Sequence, residues 1–181
     1  MLPNPLHPAV VHFPVVLAFR LPLFAVGAVW AIRRGARPIR AWSIPLAVAA
    51  ALAASSWAAV ETGEAQDERV ERVVAEQPLS AHEEMAETFL AASAGLALVA
   101  AAGLIGGLAG RVARIATAVG SVALVVAAAR VGHSGGELVY RYGAASAYTP
   151  AAGVAVTRDA AGSVAPAVDR RAGDGDDDDR R

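Results

Sequence analysis

The chain has 181 residues, of which 55% are apolar and only 18% charged, with a formal net charge of −1 and a mean hydropathy of +0.43. One domain fits that length, and the composition disfavours a water-soluble one. The absence of cysteine excludes disulfides, thiolate zinc, iron–sulfur clusters and covalently attached haem, so any metal must be held by histidine, carboxylate or backbone oxygen.

Four stretches approach the roughly 20 apolar residues needed to cross a bilayer: residues 9–32, 41–60, 85–109 and 115–131. They predict an all-α, antiparallel integral membrane four-helix bundle. Pro14 and Pro22 interrupt the hydrogen-bond ladder of the first span. Gly103, Gly106, Gly107 and Gly120 supply the small residues that let membrane helices approach closely. The link after the first span carries Arg33, Arg34, Arg37 and Arg40, and that after the third carries Arg111 and Arg114, none with an acid. By the positive-inside rule both are cytoplasmic. Residues 61–87 hold nine acids against Arg69 and Arg72, and the loop 61–84 therefore belongs outside with both termini. The expected location is a bacterial plasma membrane, crossed several times and in contact with lipid. The start MLPNPLHP has no positive n-region, so the first span is read as a transmembrane helix rather than a signal peptide. Residues 144–181 are rich in Ala, Gly, Pro and charge and end in GDGDDDDRR, which predicts a disordered acidic tail. No basic patch interleaved with aromatics supports nucleic-acid binding.

This topology brings the four histidines to one level. His7 and His12 begin the first span, His82 opens the third, and His133 closes the fourth. Glu61, Glu64, Glu83, Glu84 and Glu137 lie at the same end. Ionisable groups at the edge of a hydrocarbon core usually line a cavity or site, and imidazole with carboxylate suits haem iron, copper, zinc or non-haem iron. The expected ligands for haem b or a metal ion are His12, His133 and His82, with His7 as an outer group and Glu61, Glu64 and Glu83 as ligands or partners to imidazole N–H. The deeper His12 is expected to point into the bundle. Gly132, Gly135 and Gly136 are read as a glycine turn ending the fourth helix. Trp30, Trp42 and Trp57 are read as interfacial belt residues, with Tyr140 and Tyr142 as further anchors. Arg20 lies near mid-membrane with no acid at matching depth; its candidate partners include a haem propionate, an anion, Ser55, Ser56 or another subunit, and the alternative is that it snorkels toward the cytoplasmic side after the Pro22 kink.

The segments LHPAVVHFPVVLA, ETGEA, the His82–Glu83 pair and VGHSGGELVYRYG together resemble the bacterial predicted membrane proteins of the domain-of-unknown-function family numbered 2231. The resemblance spans residues 6–143 and implies a four-helix membrane domain found near or fused to electron-transfer modules. The leading expectation is therefore electron transfer or metal handling through a single haem or metal at the outer face, with redox proteins as partners. The competing readings are an accessory membrane subunit without cofactor and a small transporter using Arg20. Enzymatic turnover has least support, because no nucleophile with a base partner is visible.

Overall fold

The computed structural model describes residues 6–148, 156–158 and 164–166. A single turn, α1 (His7–Val10), leads into α2 (His12–Arg33); α3 (Pro38–Glu64) returns, a short α4 (Asp67–Val70) lies in the following link, and α5 (Glu76–Ala102) and α6 (Gly107–Tyr140) form the second antiparallel pair. Proline in the first turn starts α1 and α3, where its missing N–H costs nothing. The segments His7–Arg33, Pro38–Glu64, Glu76–Ala102 and Gly107–Tyr140 are each long and apolar enough to cross a membrane. α2 packs on α3 and α6, and α5 on the same two helices, so the four stand in a square.

The packing is inverted relative to a water-soluble bundle. The inward positions are mostly small: Ala18, Ala25, Ala49, Ser93, Thr117 and Ser121 are buried. Large apolar side chains point out, with Leu98 75% and Leu23 69% exposed. An outward surface of that kind suits lipid, and small inward residues let backbones make the close contacts that hold helices together there. The buried hydroxyls satisfy themselves within their own helices: Ser56 Oγ donates to Leu52 O (2.8 Å), Ser93 to Leu90 O (2.8 Å), Thr117 to Ala113 O (2.9 Å) and Ser121 to Ala118 O (2.8 Å).

Three local expectations are corrected. The third span ends at Ala102, with the turn at residues 103–106, so Arg111 and Arg114 lie in the opening turns of α6 rather than in a link. Gly107 takes φ +73°, which permits the tight reversal. The Arg114 guanidinium reaches back and its Nε–H donates to Gly103 O (2.7 Å), capping the end of α5. Second, α6 does not stop at the GHSGG motif; it runs through Gly132, Gly135 and Gly136 to Tyr140, and the left-handed glycine comes later, at Gly143 (φ +74°). Third, Trp42 is fully buried and its Nε1–H donates to Ala100 O at 2.8 Å, whereas Trp30 and Trp57 are exposed.

A 3-10 turn, Ala144–Tyr148, follows α6. Val156–Arg158 and Val164–Pro166 pair as two short antiparallel strands, Val156 opposite Pro166. Otherwise the expected disordered tail lies outside the described residues from 149 onward.

Candidate functional site

The start of α2, the end of α3, the start of α5 and the late turns of α6 meet at one end of the square. All four histidines are at that end, but only two face inward. On the first helix the buried positions include Pro14, Leu21 and Ala28, and His7 falls on the same seven-residue spacing. His12, five residues on, is rotated by about 140° and is exposed on the outer surface. His7, half-buried, is therefore the inward residue of the pair. On α6 the inward register Thr117, Ser121, Leu124, Ala128 continues to Leu138 and places Ser134 and Gly135 inside. His133 is exposed. The same register on α3 turns Thr62 and Gly63 inward and leaves Glu61 and Glu64 exposed, with no hydrogen bond to an imidazole. His82 on α5 is half-buried.

Each inward imidazole is fixed by its Nδ1. His7 Nδ1 lies 2.9 Å from Ala59 O, and since a carbonyl can only accept, Nδ1–H is the donor. His82 Nδ1 lies 2.8 Å from Ser134 Oγ, whose own proton is directed to Val131 O at 2.9 Å. Ser134 Oγ must therefore accept from His82 Nδ1–H. In the neutral rings both Nε2 atoms carry the free lone pair, and no described side chain bonds to them. The rings lie flat against glycine: a Cβ built on Gly63 would stand 3.3 Å from His7 Cε1, and one on Gly135 would stand 3.1 Å from His82 Cε1. His82 is near enough to His7 to feel its charge.

Beside them, Glu83 hydrogen-bonds to Asp67 and not to an imidazole. Burial pushes the Asp67 carboxyl above its ordinary value, partly offset by the hydrogen bond from Glu83 and by the charge of His7. Sequence reading missed Asp67, which only the α3–α5 link brings to the site, and also Thr62, Gly63, Ser134 and Gly135. Among the described residues no group of three or more His, Asp or Glu side chains could together hold a metal ion. A cleft of about 290 Å³ between α5 and α6, lined by Met85, Leu138, Tyr142 and Ser134 among others, opens beside the His82–Ser134 pair.

The four motifs of the sequence have a common physical basis: each supplies an inward residue of this cluster. A family model described as predicted membrane protein, DUF2231, matches residues 3–147. The chain belongs to the DUF2231 family. Neither the curated proteins nor the solved structures searched contain a match. The DUF2231 domain thus covers the whole helical bundle, and the protein is a multi-pass membrane protein.

Two tests of this geometry follow. Gly135→Val drives a branched side chain into the His82 ring and is expected to lower stability by about 1–3 kcal/mol. Gly132→Ala, where a Cβ meets nothing within 4 Å, is expected to be neutral or stabilising by up to about 1 kcal/mol. Thermal melting of the detergent-solubilised DUF2231 protein distinguishes them. The raised Asp67 value also sets a pH dependence. The folded chain keeps the Asp67 proton to higher pH than the unfolded chain does. This stabilising contribution is complete below the ordinary aspartate value and lost as pH rises through the raised one. Asp67→Asn should flatten the fall of the melting temperature as pH rises above the ordinary aspartate value; an unchanged slope would exclude this carboxyl as its source.

Proposed function

We propose that this protein holds one haem b or one transition-metal ion through Nε2 of His7 and His82, at the outer face of a bacterial plasma membrane, and serves electron transfer or metal handling. The observation that carries the reading is the paired tautomer. Both Nδ1 atoms are held by acceptors inside the bundle, which is how ligating histidines are oriented and made more basic. With two imidazoles and, among the described residues, no group of three side chains that could hold a metal together, the donor set fits bis-histidine haem, or a metal ion completed by water or a small ligand. Bound haem iron or copper would supply one-electron chemistry. The chain's own contributions are to lock the ring orientations and to let the rings lie against Gly63 and Gly135. The acid-rich end faces outward and the arginine-rich end inward by the positive-inside rule, with both termini outside. Redox partner proteins would then dock at the outer face.

A second reading rests on the same bonds. His7 ties α1 to α3, and His82 ties α5 to α6, so both could serve only to clamp an accessory subunit without cofactor. The visible spectrum and metal content of the detergent-purified full-length protein separate the two. A Soret band or stoichiometric metal, lost in His7→Ala or His82→Ala and kept in His12→Ala and His133→Ala, is the expected result. A colourless, metal-free protein leaves the accessory reading.

A further inference from the structure

Arg20 is the fourteenth of the 27 residues in the first span, thirteen from either end, or about 20 Å of helix in each direction. Its side chain is exposed on the outer surface of α2, and among the described residues it makes no hydrogen bond or ion pair. Neither serine open to it from sequence bonds to it: Ser55 and Ser56 lie on α3, where both donate to Leu52 O, at 3.0 and 2.8 Å, and Ser56 is buried. Ala18, whose carbonyl Pro22 leaves without its helical N–H, is fully buried on the opposite, inward face. The outward stripe around Arg20 is apolar, with Phe13, Val16, Leu23 and Trp30 all more than half exposed.

A guanidinium facing lipid at mid-bilayer costs at least about 2.5–3.5 kcal/mol, and from the centre of the span neither interface is within easy snorkelling reach. Such a group persists where another membrane segment supplies an anion. We infer that the outward face of α2 is an interface for a transmembrane helix of another protein that carries a carboxylate at mid-depth. A second copy of this chain does not supply one. Among the acids on the spans, Glu87 lies farthest from the helix ends at the histidine end, five residues or about 8 Å beyond His82, against about 20 Å from His7 to Arg20. Side by side in one bilayer, two copies would bring Arg20 against Arg20 or lipid. The stated occupant is thus defined by charge complementarity and depth, with the apolar stripe supplying the packing surface on either side.

The test uses the full-length protein, donor-labelled and reconstituted in phosphatidylcholine vesicles. The probe is an acceptor-labelled synthetic leucine–alanine helix of about 24 residues with one central glutamate, and its control has leucine at that position. Energy transfer to the glutamate helix should exceed that to the control by about three- to tenfold, and Arg20→Leu should abolish the difference. Because Arg20 has no partner inside the chain, the Arg20→Leu protein should melt in detergent at the wild-type temperature or above it. Equal transfer to both helices would overturn the inference. So would Arg20-dependent self-association of the wild type, which would make a second copy the occupant, or a lowered melting temperature of the variant, which would reveal an internal partner.

Discussion

Trp42→Ala is expected to lower the stability of the bundle by about 3–5 kcal/mol. Trp42 is the largest fully buried side chain, and with Ala25 and Ala28 it forms the core at the end of the square opposite the histidines. Its surroundings can close over the vacancy only in part. Gly103 already stands so near that a Cβ there would overlap the indole nitrogen and come within 2.7 Å of Cε2, and the buried residues beside it, Ala25 and Ala28, have no side chain to extend, which leaves only the partly buried Val29, Ile32 and Leu104 to move. Alanine at position 42 therefore leaves most of the indole volume as a cavity, and the Ala100 carbonyl loses the 2.8 Å bond from Nε1. Trp42→Phe separates these contributions, because it keeps most of the volume and forfeits the hydrogen bond, at a cost of about 1 kcal/mol from the bond itself. Chemical unfolding in mixed detergent micelles measures both. Equal losses for the two variants would assign the whole effect to the hydrogen bond.

Gly110→Ala should be nearly as damaging, by about 2–3 kcal/mol, although it adds a single methyl group to a helix. A Cβ at Gly110 would overlap the Ile105 carbonyl oxygen and lie 2.8 Å from its carbon. Both are backbone, so neither can swing aside, and the turn at residues 103–106 would have to open. That opening would also draw Gly103 O away from Arg114. The comparison is Gly95→Ala in α5, where a Cβ meets nothing within 4 Å and the usual helical preference for alanine applies. The two alanine variants are expected to melt on opposite sides of the wild type, or with Gly95→Ala level with it; destabilisation of similar size in both would refute the steric account.

The number of helices, their antiparallel order and the gathering of all histidines at one end were legible from apolar runs and loop charges, which depend on local composition alone. The facing of individual side chains was not, and the errors share a cause. Treating Gly132, Gly135 and Gly136 as a helix end broke the register of small residues that runs from Thr117 through Ala128 to Leu138. Continued, that register would have chosen Ser134 and Gly135 over His133. On the first helix, Pro14, Leu21 and Ala28 would have chosen His7 over His12. On α3 the buried series Leu52, Ser56, Ala59 points to Thr62 and Gly63, between the two glutamates that charge alone had favoured. In lipid the small residues mark the inside, so depth and charge find the level of a site and the small-residue register finds its facing. Asp67 belongs to neither pattern: it sits in a link whose path is set by the packing of α3 and α5.

The His7–Asp67–Glu83–His82 neighbourhood draws on both halves of the chain, and this bears on biosynthesis. A nascent chain that has completed only α3 contains His7 and the Ala59 carbonyl, yet it lacks Glu83, His82 and the Ser134 that orients the second ring. Membrane insertion proceeds from the N-terminus, and so the second imidazole is oriented only once the late turns of α6 have entered. The paired histidines are a feature of no intermediate that lacks α6.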